Sequence, residues 1–309
     1  MVTSYSLSAR MSRIVCTALI ALGLEGSAAI AAADDNPPRP GHTLVVLGDS
    51  YSANGLRLDG NSMQCDHGAT AWPIQLSKLI HVDATPDFVD VSCSGASLQS
   101  STAYTLAHEA RLADQAGGFG PATKLVTLQF GMNDTWGSSD VMLWNVILTC
   151  VFNLQEGCDT DALDQNRIPD YRALTPEAYA DRIRQVITFV KYYAPQAKIV
   201  LVGYPELNAP NSDAFCANVL GVGAIVQGRG RALAEYLDRL DDAQRKAAGL
   251  LGIDFYDNRA ATTGHGLCSP EPWVNGFFDP RADFLGLPFH PDTRGDEATA
   301  TGLQHWITG

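Results

Sequence analysis

Five short apolar runs recur along the chain, at residues 42–47, 88–91, 124–130, 198–202 and 253–256. They are rich in β-branched residues and lack an apolar–polar alternation, which predicts strands buried on both faces. Between them the apolar spacing changes to that of helices. The clearest case is Pro176–Tyr193, where Thr175 can cap, Pro176 suits the first turn, and Ile183, Val186, Ile187 and Val190 share a face. A second long helix is predicted over about 224–248 and a last one over about 295–306. Strands alternating with helices imply an α/β fold, a five-stranded parallel sheet between helices, with functional residues at the carboxyl ends of the strands.

The first residues follow a different pattern. Arg10 and Arg13 precede an apolar run over 14–24, and small residues fill 27–33. This predicts an export signal over residues 1–33, cleaved after Ala31 or Ala33; the run is too short and wrongly flanked for a membrane span. Cys16 lies inside the run without a lipobox and leaves with the signal. Residues 34–41, small, polar and proline-rich, read as an unstructured leader. Residues 42–309 then form a single domain with length enough for a substantial core.

Charge narrows the partners. A net charge of −13 argues against nucleic acid and against attraction to anionic membranes. The six cysteines beyond the signal, Cys65, Cys93, Cys150, Cys158, Cys216 and Cys268, form no CxxC, and an even count in an exported chain favours disulfides over metal ligation. Sequence alone does not separate the pairings. Their order and short loops suggest Cys65 with Cys93, Cys150 with Cys158 and Cys216 with Cys268.

The first three strands end in polar, glycine-bearing turns: Gly48-Asp49-Ser50-Tyr51-Ser52, Ser92-Cys93-Ser94-Gly95-Ala96 and Gly131-Met132-Asn133-Asp134. A serine in a tight turn after a buried strand can expose its hydroxyl beside a helix start, which suits a nucleophile, although the same place suits a plain helix cap. Acyl transfer also needs donors for a developing oxyanion. The Gly95 amide, the Asn133 side-chain amide and the amide of Ser50 would supply them.

These turns, together with Phe289-His290-Pro291 near the end, resemble the four blocks of the SGNH/GDSL hydrolases in their usual order. The motifs run from about residue 43 to 300. The resemblance implies a three-layer flavodoxin-like fold and ester hydrolysis through an acyl-enzyme, with Ser50 attacking, His290 as general base, and Ser50, Gly95 and Asn133 holding the oxyanion. Gly203-Tyr204-Pro205, Cys268-Ser269-Pro270-Glu271-Pro272-Trp273 and the six cysteines look like the secreted actinobacterial esterase and lipase branch, which has the three sequential disulfides suggested above. No G-x-S-x-G elbow, H-E-x-x-H zinc motif, P-loop or complete G-x-G-x-x-G competes.

His265 also follows the last strand, but beside Cys268 in a glycine-rich loop, and reads as a loop or pocket residue. Many relatives place an aspartate three residues before the histidine, where this chain has Leu287. The main-chain oxygen of Leu287 or Pro288 is therefore the leading orienter of His290, with Asp283 and Asp292 as carboxylate rivals and Asp292 better suited to cap a helix. The apolar stretch 141–152 reads either as an acyl-chain wall or as a buried helix. A histidine base predicts activity falling as pH drops through the histidine pKa, about 6.5 if unperturbed.

The expectation is thus an extracellular serine esterase or lipase needing no cofactor and no metal. Its partner is an ester or lipid substrate; no nucleic acid, no stable membrane anchor and a monomeric chain are expected. A phospholipase or carbohydrate acetylesterase is the alternative within enzymes. An inactive extracellular binding module is the alternative outside them.

Overall fold

The computed structural model describes residues 39–55, 65–100 and 104–308. The expected export signal and residues 34–38 of the leader lie outside the described residues. The rest of that leader departs from expectation: Gly41 is buried and the Pro40 carbonyl accepts from the amide of Ala122, so the ordered chain begins before residue 42.

In chain order the elements are β1 (Leu44–Gly48), α1 (Ser50–Ala53), α2 (Trp72–Leu79), β2 (Phe88–Asp90), α3 (Leu106–Gln115), β3 (Leu125–Gln129), α4 (Leu143–Phe152) and α5 (Asp161–Asp164). A 3-10 turn (Tyr171–Ala173), α6 (Pro176–Tyr193), β4 (Lys198–Val202), β5 (Phe215–Val219), β6 (Gly223–Gln227), α7 (Arg231–Leu251), β7 (Asp254–Tyr256), α8 (Asn258–Ala261) and α9 (Thr293–Thr308) follow. Five strands form one parallel sheet in the order β2-β1-β3-β4-β7. All five runs picked out by composition are these strands.

Successive side chains of a strand point to opposite faces, and β1 shows what that does here. Val45 and Leu47 enter the core shared with α3, α6 and α7, whereas Leu44 and Val46 pack with Trp72 and Leu76 of α2 and with Ala300 and Leu303 of α9. Both faces are therefore apolar and the run has no alternation. The chain leaves β1 first towards β2 and then returns to β3 on its other side, making β1 the place where the winding reverses and where α/β sheets bind ligands.

Helix α6 keeps the predicted bounds, with Thr175 accepting from the amide of Ala178 and Pro176 in the first turn. The long helix predicted from 224 is corrected. Residues 223–227 are instead the second strand of an antiparallel hairpin, β5–β6, and α7 starts only at Arg231, after Gly228 and Gly230. The stretch 141–152 is a helix, but not a wholly buried one: α4 buries Leu143, Ile147 and Val151 and exposes Trp144, Leu148 and Phe152 on the opposite side. Disulfides join Cys65 to Cys93, Cys150 to Cys158 and Cys216 to Cys268. Among the described residues no helix is long and apolar enough to cross a membrane.

Candidate active site

Ser50 is the first residue of α1, immediately beyond β1, and Asp49 rather than Ser50 caps that helix, its Oδ1 accepting from the amide of Tyr51 at 2.9 Å. The serine hydroxyl is thus free of capping duty. The turn is fixed on both sides: Asp49 N donates to Gln129 O at 2.9 Å and Cys93 N to Gly48 O at 2.9 Å, continuing the parallel ladders past the strand ends. Gly48 is required here because a Cβ would come within 2.2 Å of the Ser52 hydroxyl.

The hydroxyl of Ser50 lies 2.7 Å from Nε2 of His290, and Nδ1 of that ring lies 2.8 Å from the carbonyl oxygen of Pro288. A carbonyl can only accept, so Nδ1 carries the proton and Nε2 presents its lone pair to the serine. The ring is fully buried, stacked on Tyr51 with centroids 4.1 Å apart and met edge-on by Trp144 at 5.1 Å. Burial lowers the His290 pKa from 6.5 to about 4, against the opposing pull of the Pro288 bond. The unperturbed value presumes water around the ring, and here the ring is packed against aromatic faces.

The carboxylate rivals are occupied elsewhere. Asp292 accepts from the amides of Arg294 and Gly295 and pairs with the Arg294 guanidinium, the cap role expected of it. Exposed Asp283 accepts from the amides of Leu285 and Thr293. Of the two carbonyls expected to orient the ring, Pro288 meets Nδ1, while Leu287 O accepts from the backbone amide of His290. His265 stacks on Trp273 at 3.5 Å and bonds the Glu271 carbonyl.

The two loops flanking Ser50 hold Gly95 and Asn133. Gly95 is exposed with φ +82, the left-handed region glycine adopts freely. Asn133 donates through Nδ2 to the carbonyl of Ala96 at 3.0 Å, tying the third loop to the second. Asp134 clamps the same pair of loops, accepting from the amides of Leu98 and Gln99 and from Arg182. Burial raises its pKa, with the Leu98 amide foremost among the groups that oppose the rise.

Further residues hold the site, and two of them, Asn54 and Glu109, have no signal in the sequence. Buried Asn54 donates to the Pro291 carbonyl at 2.9 Å and to Asp296 at 2.7 Å, and accepts from the amide of Leu287 at 3.0 Å, stitching the serine helix to the histidine loop. Tyr51 OH donates to Phe289 O across the same seam. Glu109 of α3 accepts from the amide of Gly48 at 2.8 Å, and burial raises its pKa well above the usual carboxylate range. Asp49 accepts from Tyr204 OH and is pushed up to about 7 by burial, against the bonds from Tyr204 and Tyr51.

A serine hydroxyl bonded to an oriented imidazole, with Gly95 and Asn133 on the adjoining loops, is an arrangement suited to acyl transfer. Comparison with known proteins agrees. Residues 46–298 match the model of the GDSL-like lipase/acylhydrolase family. The chain is 28% identical to Lipase 1 of Streptomyces coelicolor over 282 residues, 88% of each protein, and 28% identical to a lipase of Streptomyces rimosus over 293 residues, 93% of this chain and 95% of that one. In fold it resembles the crystal structure of phospholipase A1 from Streptomyces albidoflavus, with a TM-score of 0.57 at 24% identity over 86% of this chain and 97% of that one. Family match and full-length relatives together establish that this chain belongs to the GDSL-like lipase/acylhydrolase family and is a carboxylic ester hydrolase.

Proposed function

We propose that Ser50 is the nucleophile and His290 the general base of a secreted esterase or lipase. The observation that carries this reading is the 2.7 Å contact between Ser50 Oγ and His290 Nε2, with the other ring nitrogen committed to Pro288 O. As Oγ attacks the ester carbonyl, its proton passes to Nε2 and the carbonyl oxygen becomes an oxyanion. The amides of Ser50 and Gly95 and the side-chain amide of Asn133 stabilise that oxyanion. The imidazolium then protonates the departing alcohol, and water, deprotonated by the same ring, releases the acid from Ser50. A carbonyl behind the ring fixes its tautomer without the full charge an aspartate would add.

Trp144 and Leu148 support an acyl chain running along α4, since Trp144 touches the His290 ring and Leu148 is exposed one turn further on. Residues 1–33 act as an export signal, residues from about 40 form the catalytic domain, and the mature chain works outside the cell as a monomer without an anchor; the three disulfides suit an oxidising compartment.

The test is labelling by a fluorophosphonate probe, read alongside hydrolysis of p-nitrophenyl esters of increasing chain length. Wild type is expected to label and turn over, and Ser50→Ala to do neither while keeping its melting temperature. Labelling that survives Ser50→Ala would refute the assignment.

A further inference from the structure

Apolar side chains are not scattered over this surface. Of the fourteen large hydrophobic residues exposed among the described residues, ten lie on three segments, 144–154, 220–226 and 278–285. The segments 141–155, 214–228 and 284–289 hold no charged residue, in a chain that is 18% charged, and of the charges between Phe278 and Phe284, Asp279 and Arg281 pair with each other while Asp283 is exposed. They form one continuous rim. At one end Trp144 meets His290; along α4, Leu148 and Phe152 continue the row, and Phe152 passes it to Phe277 at 6.0 Å, Phe278 at 5.3 Å and Phe284 at 6.5 Å.

The rim is also firmly built. Gln227 of the hairpin donates to the carbonyls of Cys150 and Asn153 at 3.0 and 2.9 Å, locking β6 to the end of α4, while the Cys150–Cys158 and Cys216–Cys268 bridges pin the two elements. Phe278 and Phe284 have φ of +60 and +57, a region bulky residues avoid, and their rings still face solvent, 43% and 41% exposed. Neither the backbone nor the core of the folded chain gains from an aromatic ring at those positions.

We propose that this rim docks the enzyme onto the surface of an aggregated lipid phase without net charge, placing the mouth of the Ser50–His290 site over its substrate; this rests on the ester hydrolase reading and names where the ester is met. The rim segments carry one cation, Arg281, and it is paired with Asp279, so the rim sheds its water at low cost and has no free cation to hold anionic head groups. A net charge of −13 also opposes both an anionic bilayer and a second copy of the chain. Continuity with His290 sets the rim apart from an incidental patch.

The test is co-flotation of the purified protein with phosphatidylcholine vesicles, and separately with vesicles containing phosphatidylglycerol, for wild type, Ser50→Ala and the double variant Leu154→Asp/Val222→Asp. Both substituted residues are 60% exposed or more, which keeps folding out of the result. Wild type and Ser50→Ala are expected to float with phosphatidylcholine, undiminished by high salt and more weakly with phosphatidylglycerol. The double variant is expected to lose about tenfold or more in vesicle affinity and in hydrolysis of emulsified tributyrin, with kcat/KM on soluble p-nitrophenyl acetate within about twofold of wild type. Wild type that stays with the aqueous phase, a double variant that still floats, or binding that requires phosphatidylglycerol overturns the proposal. So does lipid-free dimerisation that the two aspartates abolish. Failure of the catalytic reading has a separate signature, a wild type inactive on p-nitrophenyl acetate.

Discussion

Lowering the pH tests whether the base is buried as the site requires. In the free enzyme only neutral His290 accepts the serine proton, so kcat/KM falls with the fraction of protonated imidazole. With the pKa lowered to about 4 by burial, about 90% of the activity survives at pH 5; with an unperturbed histidine near 6.5, only about 3% would. The protein should remain folded across this range because contributions of opposite sign meet there, the raised carboxylates Asp49, Glu109 and Asp134 against His290. His290, depressed in the fold, contributes stability above 6.5 that is lost as pH falls towards about 4, roughly 3 kcal/mol in all. Asp49, raised to about 7, contributes the opposite way: its stabilisation is complete below 3.8 and is lost as pH rises through about 7, roughly 4 kcal/mol. The assay is kcat/KM on a soluble ester from pH 3.5 to 8, with near-ultraviolet circular dichroism at each pH. Trp144→Ala, which uncovers one edge of the ring, should move the acid midpoint up towards 6.5. A wild-type midpoint near 6.5 with the fold intact would refute the reasoning, since it would mean that water reaches His290 in the resting enzyme.

Three further outcomes are expected. Asn54→Ala removes hydrogen bonds to buried Asp296, to the part-buried Leu287 amide and to the Pro291 carbonyl, which keeps its bond from Asn275, so urea unfolding should show a loss of about 2 kcal/mol, and kcat should drop because the histidine loop is no longer tied to the serine helix. Asp283→Asn and Asp292→Asn should keep kcat within about tenfold of wild type, with Asp292→Asn lowering the melting temperature through its Arg294 partner; a loss near 10⁴ in either would instead install that residue as the orienting acid. Reducing Cys65–Cys93, which closes a 28-residue separation beside Gly95, should cost about 3–4 kcal/mol by chain entropy and lower kcat; an unchanged kcat with that bridge open would show that the Gly95 loop holds its shape unaided.

What the sequence reveals follows from where each constraint lies. The five strands are readable because burial on both faces demands uninterrupted apolar runs, and α6 is readable to the residue because Thr175 and Pro176 mark its start. The β5–β6 hairpin escapes because both its faces carry apolar residues, Phe215 and Ala217 inward and Val226 outward, so period two is lost and the pattern reads as a helix from Ala224. Ser50, Gly95 and Asn133 stand out as motif residues at strand ends, and His290 as one just before the last helix. The Pro288 carbonyl has no side-chain signature, since every residue carries that group. Asn54, Trp144 and Glu109 are equally silent, because each works through a partner far away in the chain: Asn54 meets Asp296 242 residues later.

The three disulfide loops occupy separate stretches of chain, 65–93, 150–158 and 216–268, with none nested in or crossing another. Under the export proposed above, a polypeptide threaded through a membrane from its amino terminus would deliver these cysteines strictly in pairs. Each thiol finds its correct partner as the next one to emerge, so oxidation can keep pace with translocation and no bridge has to be broken and remade. By the time His290 arrives, the crosslinks around Gly95, α4 and the hairpin can already be closed, and the histidine completes a pocket whose walls were fastened before it.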